Sequence, residues 1–297
     1  MRGVLNVCKP AGRSSYDVIR RLKSVVPARD PHNGRRTAIG HAGTLDPMAT
    51  GVLLLLLGEA TKVVGLLLKQ PKTYEAEVLF GIRTDTDDVT GKTVEEKPPP
   101  EVSAGQVCSA LVQFTGRIMQ TPPVFSALKL GGQPSYKLAR TGRPVQTEPR
   151  PVTIHEIELL ELTLPRVRLR AVVSSGTYIR SLARDLGAAL GTVATLSRLV
   201  RTRVGRFTID DAADPAGITG ENITDRLVSV REALPDVPSL PIDAETARRL
   251  LCGQVVALPK AAGFSGQGFA VTADGRFLAI VNRYEQKLQV ERVIYAD

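Results

Sequence analysis

The chain has 297 residues, with 39 Lys and Arg against 30 Asp and Glu, a net charge of +9, and only three Cys and three His. That length holds one large domain or a large and a small one, and the basic excess favours a polyanionic partner. Cys8, Cys108 and Cys252 stand far apart with no CxxC pair, and His32, His41 and His155 are equally scattered, which excludes a disulfide framework and a Cys- or His-based zinc site and fits a reducing cytosol.

From the start, Gly3 to Cys8 reads as a short strand ending at Lys9-Pro10. Ser14-Ser15 then offers a helix cap, and Val18, Ile19, Leu22 and Val25-Val26 recur at helical spacing up to Pro27. Arg20, Arg21 and Lys23 fall off that apolar stripe, on a face open to solvent or to phosphate. Pro27 to Thr37 is a basic loop, and Gly40 to Gly51 reads as a tight glycine-rich loop. The continuously apolar run Val52 to Leu57 is expected to be a central strand buried on both faces. A helix starts at Gly58, and Thr73 to Phe80 alternates as a half-buried strand with Tyr74, Ala76, Val78 and Phe80 on one face. The turn Gly81 to Gly91 is acidic, but its spacing fails the requirements of a calcium loop. Lys97 to Pro100 is a surface linker, and Val102 to Phe114 a helix.

Residues 124 to 150 combine Gly131-Gly132 with many basic side chains and little apolar content, the pattern of a protruding excursion. Strands are expected at 152–164 and 167–174, a helix after Gly176 carrying Leu182, Leu186 and Leu190 on one stripe, and a strand from Leu196. Arg180 and Arg184 share a helix face apart from that stripe, so one of them can reach a buried acid. Residues 208–240 form an acidic connector with a short helix around Ile223 to Ala233. Beyond the boundary near 238 come a helix at Ala244 to Leu251 and several short strands, with Asp274-Gly275 as a hairpin turn. No long apolar run and no signal-like start are visible, so a soluble cytoplasmic protein is expected. P-loop, GxGxxG and HExxH motifs are absent, which removes nucleotide-driven, dinucleotide and zincin chemistry from first rank.

The stretch Gly40-His41-Ala42-Gly43-Thr44-Leu45-Asp46-Pro47-Met48-Ala49-Thr50-Gly51 carries the one acid between Asp30 and Glu59, in a basic part of the chain that favours its ionised form. On residue chemistry alone Asp46 either pins a turn or does chemistry. The stretch resembles the GHxGTLDPxAxG signature of the TruB family of pseudouridine synthases, whose aspartate is catalytic. Further matches are the TDTxDxxG turn at 84–91, the QTPPxFSALK block at 120–129, SSGTYIRSLARDLG at 174–187 and the block from Leu196 to Phe207.

That resemblance implies an α+β pseudouridine synthase fold, with a central mixed, mainly antiparallel sheet flanked by helices and loops. It also implies a catalytic domain over 1–237 and a small β-rich, PUA-like RNA-binding domain over 238–297. The expected reaction is isomerisation of uridine 55 in the tRNA T-loop, by a stand-alone monomer with no guide RNA, protein partner, metal or cofactor. It assigns Asp46, Arg180 and Tyr74 to catalysis on a flipped-out base. His41, Lys9, Tyr178, Leu199 and Val200 are expected to serve substrate binding, and Arg20, Lys129, Lys137, Arg140 and Arg143 to meet the RNA backbone. An RNA-binding chaperone or a glycosylase would share some of these features; the glycosylase needs a second carboxylate or a metal, and neither is visible near Asp46 in the sequence.

Overall fold

The computed structural model describes residues 1–30, 34, 36–126, 128–130, 133–135, 147–257, 266–272 and 277–294. Along the chain run β1 (Gly3–Lys9), α1 (Ser15–Leu22), β2 (Ile39–Ala42), β3 (Thr50–Leu57), a 3-10 turn (Gly58–Val63) entering α2 (Val64–Lys69), β4 (Lys72–Phe80), β5 (Ile82–Thr84), β6 (Thr93–Glu96), α3 (Ala104–Val112) and β7 (Gly116–Gln120). There follow β8 (Lys129–Leu130), β9 (Gln133–Pro134), β10 (Arg150–Thr163), β11 (Arg166–Val173), α4 (Ile179–Ala189), β12 (Ala194–Val204), β13 (Phe207–Thr208), β14 (Leu227–Val228) and α5 (Val230–Ala233). The C-terminal part holds β15 (Ser239–Ile242), α6 (Ala244–Leu251), β16 (Val256–Ala257), β17 (Gly266–Thr272), β18 (Phe277–Tyr284) and β19 (Lys287–Val293).

Ten strands make one sheet in the order β14-β1-β3-β12-β4-β11-β10-β7, with β2 attached to β3 and β13 to β12. Its pairings are antiparallel except where Val200 and Arg201 of β12 run parallel to Thr50 and Gly51 of β3. This is the mixed, mainly antiparallel α+β sheet that the sequence implies. Gly51 makes the parallel contact possible: its φ is 103°, and a Cβ there would lie 2.2 Å from the Arg201 carbonyl oxygen.

The Val52 to Leu57 run is apolar throughout because both faces of β3 are covered. Leu53, Leu55 and Leu57 join α1, α4 and the Tyr74 face of β4 in one core cluster. Val52, Leu54 and Leu56 join α2, α5 and Phe269 and Ile280 of the C-terminal sheet in another. That smaller, PUA-like sheet has the order β15-β17-β18-β19-β16 and closes its own core around Leu250, Val281 and Leu288.

Two sequence expectations change. Both ends of the Gly40 to Gly51 stretch are strand, because Ile39–Ala42 pairs antiparallel with β3 and β3 itself starts at Thr50, and the irregular part is the loop 43–49 joining the two strands. The helix expected around 223–233 divides into a 3-10 turn, the edge strand β14 and the short α5, which the Ser229 capping box restarts after β14 pairs with β1. The Asp274-Gly275 hairpin turn lies outside the described residues. Among those residues no helix is long and apolar enough to cross a membrane.

Candidate active site

Asp46 sits in the loop between β2 and β3, and its neighbours are fixed from several sides. The Ser15 hydroxyl at the start of α1 accepts from Leu45 N–H at 2.9 Å and donates to the Leu45 carbonyl at 3.3 Å. Pro47 O accepts from the Gly12 amide at 2.8 Å and from Lys9 Nζ at 3.2 Å, and Ala49 N–H closes the turn onto Asp46 O. With Leu45 buried against α1, the loop is a rigid mount, while the Asp46 side chain keeps about a third of its surface open (33 %).

Arg180, in the first turn of α4, meets Asp46 in a bidentate pair: Nε donates to Oδ2 at 2.9 Å and Nη2 to Oδ1 at 3.1 Å. Two further donors go to the carbonyls of Thr86 and Phe125, both at 2.9 Å. A cation at a helix N-terminus opposes the macrodipole, and α4 has no acid in its first turn, so Arg180 is held there by Asp46 and these carbonyls. The sequence shows no second carboxylate near Asp46, yet Asp88 Oδ2 lies 3.7 Å from Arg180 Nε. Its other oxygen, Oδ1, accepts from Thr86 Oγ1, Thr90 N and Thr90 Oγ1, so the acidic turn satisfies itself while backing the arginine from behind. Arg184, one turn on, pairs with Asp87 at 3.1 Å; burial raises the Asp87 carboxyl and the two arginines oppose that shift. Among the described residues no group of three or more His, Cys, Asp or Glu is placed to hold a metal.

Asp46 opens onto a cavity of about 250 Å³ whose walls include Tyr74, Tyr178, Leu199, Lys72 and Arg201. Tyr74 on β4 and Leu199 on β12 come from adjacent strands, so an aromatic face and an aliphatic side chain bound the same space. Tyr178 is fixed through its backbone, which exchanges two hydrogen bonds with the Gln120 side chain at 2.8 and 3.0 Å, and burial pushes its phenol pKa up. Val200 does not line this cavity. Successive side chains on a strand alternate, and Val200 lies on the opposite face with Glu75 and Arg198.

Lys9 is fully buried, and its amine donates to the carbonyls of Pro10, Arg13 and Pro47, so it binds the loop and does not open onto the cavity. Burial outweighs the attraction of Asp46 and lowers its pKa to about 8. His41 stands on β2 opposite Leu55 and is not among the side chains lining the cavity, with Nδ1 buried and unpartnered among the described residues. Burial and then the Arg201 charge lower its pKa. Arg20 is exposed on α1 and pairs with Asp17 at 3.2 Å. Lys129 lies in the β8–β9 ribbon, and Lys137, Arg140 and Arg143 lie outside the described residues. Sequence reasoning missed Lys72, Arg201, Asp88 and Gln120. Lys72 and Arg201 are each two residues from a recognised cavity residue on the same strand, a spacing that puts them on its face.

Fold and site together present one carboxylate, oriented by an arginine, to a cavity in the cleft of a mixed β-sheet. The family description "TruB family pseudouridylate synthase (N terminal domain)" matches residues 32–179. The chain is 40% identical over 259 residues to tRNA pseudouridine synthase B of Xanthomonas campestris pv. campestris (strain B100), spanning 86% of this chain and 82% of that protein. It is 39% identical over 253 residues to tRNA pseudouridine synthase B of Clostridium tetani (strain Massachusetts / E88), spanning 85% of each. It also superposes on a chain in the crystal structure of a Cbf5-Nop10-Gar1 complex, with a TM-score of 0.73 and 26% identity, over 99% of this chain and 85% of that one. The chain belongs to the TruB family of pseudouridylate synthases, isomerases that convert uridine to pseudouridine.

Proposed function

We propose that the protein isomerises uridine 55 in the T-loop of tRNA to pseudouridine, with Asp46 as the nucleophile acting on a base flipped out of the loop. The observation that supports this most directly is the bidentate Asp46–Arg180 pair at the mouth of a cavity bounded by Tyr74 and Leu199. Isomerisation breaks the N1–C1′ bond, turns the uracil and joins its C5 to C1′, with loss of the C5 proton. No external group enters, so a carboxylate held in one orientation supplies the covalent or electrostatic help required. Tyr74 stacks on the base and serves the late removal of the C5 proton, and Tyr178 and Leu199 complete the wall.

The tRNA substrate is carried by the names of the relatives and by the charge pattern. Residues 1–70 hold 11 basic against 4 acidic side chains, and residues 113–150 hold 6 against 1. In this reading Arg20, Lys129, Lys137, Arg140 and Arg143 meet the RNA backbone, His41 fills space near the displaced nucleotide, and Lys9 stiffens the catalytic loop. Residues 1–237 form the catalytic domain and 238–297 an auxiliary RNA-binding domain. The enzyme works as a cytoplasmic monomer without guide RNA or protein partner.

The test is Asp46→Asn, assayed by release of tritium from C5 of the target uridine in a T-arm RNA. Release should be abolished while the RNA Kd stays within about threefold. Normal turnover removes Asp46 from the chemistry, and lost binding makes it a structural residue.

A further inference from the structure

The cavity carries two buried cations for which the proposed chemistry gives no role. Lys72, 5 % exposed on β4, donates to the carbonyls of Leu68 and Gln70, both at 2.7 Å, which leaves one of its three N–H groups unassigned. Arg201, 1 % exposed on β12, donates from Nε to Val52 O at 2.7 Å and from Nη2 to Gly43 O at 2.9 Å. Its Nη1 has no acceptor among the described residues. The two cations flank Gly43: a Cβ there would lie 3.4 Å from Arg201 Nη1 and 3.7 Å from Lys72 Cε. Among the described residues no carboxylate lies within 4 Å of either cation. Asp46, the one acid on the cavity wall, is already committed to Arg180.

Burying a charge without a counter-ion costs several kcal/mol, so two such cations beside one cavity indicate an anionic group that arrives with the substrate. A backbone phosphate is a poor candidate, because it is tethered to the strand outside on both sides and these nitrogens belong to side chains that are 5 % and 1 % exposed. The base is the end of a flipped nucleotide that reaches a deep wall.

We infer that Lys72 and Arg201 form an oxyanion site that hydrogen-bonds an exocyclic oxygen of the uracil while that oxygen carries negative charge during isomerisation. The charge arises by either route open to Asp46. If the N1–C1′ bond breaks first, its electron pair stays on the uracil and spreads onto the exocyclic oxygens. If the carboxylate adds to the ring, the displaced pair of the ring double bond moves onto an exocyclic oxygen. Both nitrogens donate hydrogen bonds without giving up a proton; the charge is discharged when C5 bonds to C1′, the Asp46 carboxylate leaves the carbon it holds with its bonding pair, and the C5 proton then departs while N1, freed from the sugar, takes one up. Burial first and then the Arg201 charge lower the Lys72 pKa to about 8, in keeping with an amine that has no carboxylate partner.

The inference rests on the proposed uridine chemistry and is tested by single-turnover tritium release from a T-arm RNA, using Arg201→Met and Lys72→Met. Each variant should lose roughly 10²-fold or more in rate, as when one oxyanion donor is removed, with RNA Kd and its salt dependence unchanged within about twofold. Replacing an exocyclic oxygen of the target uridine by sulfur, a weaker acceptor, should slow the unmodified enzyme and add little further loss in the variants. An unchanged rate overturns the inference. So does a loss confined to Kd with a salt slope reduced by about one, which is the signature of a phosphate contact. If Arg201→Met fails to fold because Gly43 and Val52 lose a donor, Lys72→Met alone decides, with Lys72→Arg expected to recover part of the rate. No turnover by the unmodified chain sinks the uridine chemistry itself, and this inference with it.

Discussion

Arg180→Lys isolates geometry from charge. The guanidinium donates twice to Asp46 and once each to the carbonyls of Thr86 and Phe125, at 2.9 to 3.1 Å, from three separate nitrogens. A lysine amine is a single point and cannot span both Asp46 oxygens while serving carbonyls on two other segments. At least one charge-assisted bond to Asp46 is lost, about 1.5–3 kcal/mol, and the one-third exposure of Asp46 favours the lower half of that range. If the loss falls on the transition state, the single-turnover rate drops roughly 10- to 100-fold. The Thr86 or Phe125 carbonyl left unpaired costs a further ~1–3 kcal/mol of stability, so Tm falls by several degrees. The assay is tritium release well below the variant's Tm, with RNA Kd measured in parallel. A rate within twofold of the unmodified enzyme refutes the claim that the fork geometry aims Asp46.

Gly51→Ala should lower Tm by at least about 10 °C or prevent folding, because its Cβ would sit 2.2 Å from the Arg201 carbonyl at a φ of 103°; a melt within 3 °C of the parent contradicts the close β3–β12 approach. Lys9 and Lys72 both have folded pKa values near 8 against 10.5 when unfolded, so between those pH values the unfolded chain binds more protons. Each therefore adds stability as pH rises from about 8 toward 10.5 and loses it as pH falls back through 8. Urea midpoints across that range should show a gain in the parent that Lys72→Met reduces, and parallel curves would contradict the low Lys72 value.

Much of the site was legible because its motifs are local. The Asp46 loop, Tyr74 and the start of α4 each announce themselves in one short stretch; the family resemblance implies that Arg180 holds Asp46 in a bidentate pair, and the fold brings the two together across 134 residues. Alternation separates Leu199 from Val200, a distinction that needs the orientation of β12. Ile39–Ala42 has no period of its own, and its strand character comes from pairing with β3. Asp88 reads in sequence as part of an acidic surface turn, and only the packing of that turn against α4 brings it to Arg180. Lys72 opens a strand and Arg201 sits among other arginines, so neither betrays its burial.

The buried cations are treated differently according to what each faces. Arg180 is met by two carboxylates and two carbonyls, and Lys9 by three carbonyls and no acid within 4 Å among the described residues. Carbonyl dipoles solvate a cation without cancelling its charge, so Lys72 and Arg201, held in the same way, leave the cavity positive. A carboxylate placed beside Lys72 would neutralise that field and leave a second anion close to Asp46. It would also repel a uracil as negative charge develops on it. Supporting these cations through the backbone instead keeps Asp46 the one anion on the described cavity wall, opposite a surface shaped to receive another.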